Sequence, residues 1–186
     1  MAQSATNLIA GPALLYTGAF GATEPADTAV NATPAASAWT EVGFTQDGVK
    51  LVGDQAFLEF EVDQTNTTPE RRQTKQDWMV ETTLAEATLE NLSLTMNGGT
   101  TASGAGFKSW EPNETTSATQ PTYKALIMDG YAPQQFRRRA IVRKALSTDG
   151  FEVAYVKDKQ TVLAVKWAAH WVSSSIRAVH IVDQTS

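Results

Sequence analysis

Cysteine is absent from the 186 residues, which excludes a disulfide framework and any thiolate-held zinc. Histidine is nearly absent too. His170 and His180 lie ten residues apart without a His-Glu-x-x-His context, so neither fits a metalloprotease pattern. There is no surplus of positive charge: 15 Lys plus Arg stand against 20 Asp plus Glu, a formal net charge of -5. A general nucleic-acid binder carries a basic excess instead. The opening MAQSATNLIAGPALLYTG has neither a basic start nor a long apolar run, so we expect no secretory signal and no membrane anchor. The Asn-X-Ser/Thr sites at Asn31, Asn66, Asn91 and Asn113 then carry little meaning.

Signatures of catalysis are equally sparse. No phosphate loop is present, and Gly104-Ala105-Gly106 lacks both a third glycine and a following helical pattern. There is no Gly-x-Ser-x-Gly elbow. Glu59 and Glu61 would stand about 7 Å apart on one strand face at ~3.3 Å per residue, a separation that glycosidases use. Alternate acids on a wet strand are common, however, and need no catalytic role. Trp39, Trp78, Trp110, Trp167 and Trp171 could stack on sugars, but Trp78 and Trp167 fall in apolar strand patterns that suit a core. We expect no catalytic residues, no cofactor and no metal.

What is present is amphipathic patterning, densest from Ala56 to Gly99. Leu58, Phe60 and Val62 alternate with Glu59, Glu61 and Asp63, the period of a strand with one dry and one wet face. Trp78, Val80 and Thr82 alternate in the same way with Asp77, Met79 and Glu81. The polar run between them, Gln64 to Gln76, reads as a loop or a hairpin extension. The period then changes: Leu89, Leu92 and Met96 recur at helical spacing before Gly98-Gly99. Thr83-Leu84-Ala85-Glu86 has the form of a capping box, and Thr88 could cap a shorter helix. The helix is expected to cover Leu58, Phe60, Val62, Trp78 and Val80 with Leu89, Leu92 and Met96, leaving the carboxylates on the opposite face.

Around this centre, residues 8 to 16 read as a first strand bent at Pro12. Thr17 to Trp39 is a long Ala/Thr/Gly/Pro segment, too poor in large apolar groups to order alone and expected to act in assembly. Glu41 to Val52 reads as a hairpin turning at Gln46-Asp47-Gly48. Asn97 to Gln120 reads as a second loop. Strands follow at Thr122 to Met128 and Arg138 to Leu146, then Phe151 to Val156 and Thr161 to Trp167, paired with each other across Lys157-Asp158-Lys159, and finally Ser175 to Val182. Eight or nine strands and one helix make a mainly β, antiparallel fold, long enough for one domain. Charge is uneven: nine acids and three bases from Asp54 to Glu90, nine bases and four acids from Pro121 to Lys166. Two solvated faces would explain this, and so would a self-complementary surface for head-to-tail assembly.

The run from Leu58 to Met96, with FEVDQ before the polar stretch and WMVETTLAEATLENL after it, resembles the major tail tube proteins of long, non-contractile-tailed bacteriophages. ALIMDGYAP, RRAIVRKAL, TVLAVKWAAHW and the closing IRAVHIVD resemble that family's C-terminal half. The likeness spans nearly the whole chain. It implies a single tail tube domain over 1–186, an antiparallel β-sandwich or partial barrel flanked by a helix, with an assembly loop at 17–40 and no C-terminal decoration domain. It also implies hexameric rings stacked into a tube that conducts DNA. Partners would be further copies of the chain, tape measure protein and genomic DNA in the lumen, and tail terminator and distal tail proteins at the ends. The protein would reside in the virion tail, assembled in the host cytoplasm. On this reading Glu59, Glu61, Asp63, Asp77 and Glu81 line the lumen, while Glu70, Arg71, Arg72 and Lys75 contact the next ring. The inner tube of a contractile injection machine is the neighbouring reading; a carbohydrate-binding module or hydrolase of similar composition is the distant one.

Overall fold

Where the sequence alternates, the chain is strand. The computed structural model describes residues 4–114 and 121–185. Its strands are β1 (Leu14–Ala19), β2 (Trp39–Glu41), β3 (Thr45–Phe60), β4 (Glu70–Leu84), β5 (Thr100–Gly104), β6 (Phe107–Glu111), β7 (Lys124–Tyr131), β8 (Arg137–Ser147), β9 (Leu163–Ala169) and β10 (Val179–Asp183), with one α-helix, α1 (Leu89–Thr95). The fold is mainly β, 47% strand and 9% helix, and antiparallel. One sheet runs β2-β1-β7-β8-β9-β4-β3, with β10 also paired to β8; β5 and β6 form a separate hairpin.

The large sheet carries the main core on one face. Leu15 of β1 and Val80 and Leu84 of β4 belong to one buried cluster, although three strands separate them in the sheet. The cluster therefore runs continuously across the dry face of the sheet, from β1 through β7, β8 and β9 to β4. Leu126, Val142, Leu163, Val165 and Trp167 fill the space, and Leu94 of α1 closes it. On the other face of β1, β7 and β8 lies a smaller cluster of Tyr16, Trp39, Ala125, Ile127 and Ile141.

The helix takes the shorter of its two starts. The Thr88 hydroxyl accepts from the Asn91 amide at 3.2 Å, the usual N-cap contact. Thr83 and Leu84 are still strand, and Glu86 accepts instead from the Phe44 amide at 3.0 Å. Asn97 rather than a glycine occupies the left-handed position after the helix (φ 57°), and the Gly98 amide donates back to the Ser93 carbonyl at 2.8 Å. The buried face is Asn91, Leu94 and Thr95; Leu89 and Leu92 are half-buried and Met96 is exposed. The expected stripe is therefore corrected: the buried face is turned by roughly 140° around the helix, at 3.6 residues per turn.

Three other expectations are corrected. Asp47 and Gly48 do have positive φ (61° and 76°), but they form a bulge within β3, where pairing jumps from Gln46–Thr83 to Val49–Thr82. The Thr82 hydroxyl donates to the Gly48 carbonyl at 2.8 Å and holds the bulge. Residues 100–111 are the β5–β6 hairpin rather than loop, anchored where the Trp110 indole donates to the Gly98 carbonyl; residues 115–120 of that expected loop lie outside the described residues. Residues 151–156 form no ladder with 161–167. Only the bridge Val156–Lys159 forms there, and β9 pairs with β4 and β8.

The segment after β1 is not left to assembly for its order. Arg139, 1% exposed, donates to the carbonyls of Ala29 (3.2 Å) and Ala32 (2.6 Å) while paired to Asp129. Arg143 grips Glu24 with two bonds of 2.5 and 2.8 Å. His180 meets Asp27 at 2.9 Å, and the Trp39 indole donates to the Thr23 carbonyl. The sequence lacks apolar mass here, as read, but polar anchors from β8 and β10 supply what burial does not.

Candidate assembly surface

The polar run Gln64 to Gln76 resolves into the hairpin-extension alternative. Strand β4 begins at Glu70, so Glu70, Arg71, Arg72 and Lys75 are strand residues, and the connecting turn is 61–69. Together β3 and β4 form a ribbon that leaves the body beyond Gly53, against which Trp78 packs. From residue 53 to 76 every side chain except Thr68 is exposed. Leu58 is 52% exposed, Phe60 42% and Val62 45%. The expectation that α1 buries these three is thereby corrected: the helix contacts β9 and β6, and its Leu94 joins the buried cluster that holds Val80 and Leu84 at the other end of β4.

Register decides which carboxylates share a face. Asp54 pairs with Asp77 and Lys50 with Glu81, while Glu59 pairs with Arg71. Directly paired residues point to the same side, and β3 alternates without interruption from Val49 to Phe60. Five steps separate Asp54 from Glu59, an odd number, so Glu59 lies on the face opposite Asp77 and Glu81. Glu61 and Asp63 fall past the end of β3. The expected single face of five carboxylates is thus corrected to two groups: Asp77 and Glu81 on the body, and Glu59, Glu61 and Asp63 on the arm. The arm's irregularity is a bulge at Thr74, where Ala56 pairs with Lys75 but Phe57 with Gln73. A bulge re-aims one strand relative to its partner, and the polar run gave no pattern from which to read it.

The open face of β3, β4 and β9 is charged but not uniformly acidic. Glu81 sits in register between Lys50 and Lys166 and reaches the latter at 2.9 Å. Asp77 has Lys75 at 2.6 Å. Both lysines are pushed above their ordinary range, chiefly by hydrogen bonds to these carboxylates. Lys50, Asp54 and Lys166 were missed as members of this face. Their signal was weak, since Lys50 lies in a stretch read as one arm of a short separate hairpin and Lys166 in one read as core strand. On the arm, Glu59 accepts from Arg71 Nε at 2.7 Å. Glu61 falls past the end of β3, so the two acids do not share the one strand face that the alternation suggests. His170 lies edge-on to Tyr123 and His180 is held by Asp27, so the two histidines do not converge.

Over residues 1–185 the sequence matches the family model described as phage tail tube protein. No curated protein matches closely enough to stand beside it as a relative.

Proposed function

The chain belongs to the phage tail tube protein family, and on that premise we propose that copies of it close into hexameric rings and stack into a tube for DNA delivery. Membership makes it a structural component of the virion tail that assembles with itself and other tail proteins. The observation that carries the finer reading is the projecting ribbon. Strand β3 is an edge strand of 16 residues with its outer side unpaired, and a two-stranded ribbon that exposes Phe57, Leu58 and Phe60 is marginal in water. An edge of that length invites pairing with another chain, and natural proteins cover such edges. A ring closes them; stacking is heterologous and open-ended, so it makes a filament.

The face of Lys50, Asp54, Asp77, Glu81 and Lys166 is the proposed lumen wall. Each basic group there has a carboxylate neighbour, so DNA passing by meets no unpaired cationic track of the kind that holds it. Glu70, Arg71, Arg72 and Lys75, carried on the arm, are proposed contacts to the next ring. In keeping with the resemblance of the sequence to non-contractile tails, the proposed partners are tape measure protein and DNA in the lumen, with terminator and distal proteins at the ends. Assembly takes place in the host cytoplasm. Sedimentation of the purified chain over a concentration series tests the reading. Species far larger than a monomer, growing with concentration, support it; a monomer at every concentration contradicts it.

A further inference from the structure

At the root of the arm, on the side opposite Asp77, lies a groove of about 550 Å³ lined by Trp78, Trp171, Ile176, Arg177 and Ile181 among others. Trp171 is 73% exposed, and Ile176 and Ile181 are nearly half exposed. A Trp beside two Ile, rimmed by an arginine, has the composition of a docking pocket rather than of scattered surface groups. The Arg177 guanidinium has no ion-pair partner among the described residues, although the Arg177 carbonyl accepts from Arg143.

The arm offers the complement. Leu58 and Phe60 project from one face of β3, about 7 Å apart at ~3.3 Å per residue. Just beyond them stand Glu61 and Asp63, also without an ion-pair partner among the described residues. The arm cannot fold back into its own groove: Phe60 lies five residues beyond Gln55 along an extended strand, about 17 Å from the root. We propose that the groove receives the arm of a second copy, with Leu58 and Phe60 seated against Trp171, Ile176 and Ile181, and with Glu61 and Asp63 facing Arg177. This rests on the tube reading above and names the receptor that the arm engages. A tip meeting a root is a heterologous contact, so each added copy presents a fresh arm and a fresh groove.

Because the chain has no cysteine, introduced thiols report the contact without background. A chain carrying Phe60→Cys and Ile176→Cys, treated with a short bis-maleimide after assembly, should give a ladder of covalent trimers, tetramers and higher species. Either substitution alone should stop at dimers, and so should an equal mixture of the two single variants. A second pair, Val62→Cys with Arg177→Cys, serves where the first disturbs folding. Intact tubes of either double variant that yield no ladder overturn the proposal while leaving the tube reading standing. Failure of the unsubstituted chain to form rings or tubes defeats the tube reading, and this proposal with it. Arg177→Glu should lower the assembled fraction at least several-fold, and Asp63→Lys added to it should restore most of that loss; no change on either substitution also counts against the proposal.

Discussion

Arg139 and Asp129 face each other across β8 and β7, joined by two bonds of 2.6 Å, and the same guanidinium holds the carbonyls of Ala29 and Ala32. Four acceptor contacts saturate a group that is almost wholly buried, and a planar fork suits this arrangement where a lysine would not. One side chain thereby ties a loop of small residues to the middle of the sheet.

Asp129→Ala leaves that guanidinium buried with only two carbonyls. The expected cost is about 3–5 kcal/mol, the range for breaking a buried pair from one side. Urea unfolding measures it. The double substitution Arg139→Met with Asp129→Leu should cost less yet make residues 20–38 susceptible to protease, because the carbonyl anchors are gone. Wild-type protease resistance in that variant would show the loop to be held by something else.

Arg71→Glu with Arg72→Glu reverses two exposed charges on the arm. Exposed pairs are worth at most about 1 kcal/mol, so the thermal midpoint should move little. Stacking should nevertheless stop at rings, visible as discrete particles. Tubes forming at the wild-type rate in moderate salt would remove these residues from the inter-ring contact.

On the proposed lumen face, Asp77→Lys and Glu81→Lys should differ. Glu81→Lys sets three lysines in register across β3, β4 and β9, and each opposed like-charge pair costs about 0.2–1 kcal/mol. Asp77→Lys is flanked by Asp54 on one side and should be tolerated better. Tubes of Asp77→Lys should form and retard DNA passage, lowering infectivity more than assembly. Equal loss of both would mean that the face has a structural role only.

The Arg138–Asp183 pair, two bonds of 2.6 and 2.7 Å between β8 and β10, predicts a pH effect. The Arg138 hydrogen bonds hold the Asp183 carboxyl below its ordinary range. A depressed folded pKa gives stability that is present above the unfolded value, about 3.9, and lost as pH falls through the folded one. Asp183→Asn should therefore lower stability near neutrality and flatten its decline in acid. Parallel acid titrations of the two proteins would count against this linkage.

The sequence made some of this legible and hid the rest for physical reasons. Val80, Thr82 and Trp167 alternate within body strands, where one face is dry, so period and burial agree. Leu58, Phe60 and Val62 show the same period, yet none of the described residues covers them. Alternation reports that a face wants a partner, without saying that the partner lies within the same chain. Asp47-Gly48 carries the chemistry of a hairpin turn and of a bulge alike, since both need positive φ. Glu59 could not be placed beside or opposite Asp77 without the register across two strands. The order of residues 20–38 depends on Arg139, more than a hundred residues away in sequence, and no local pattern encodes it.

The most direct test is a negative-stain image of the purified chain at high concentration. The account predicts long tubes of uniform width, with six-fold symmetry in end views and a stain-filled channel. A field of small discrete particles, unchanged as concentration rises, would contradict it.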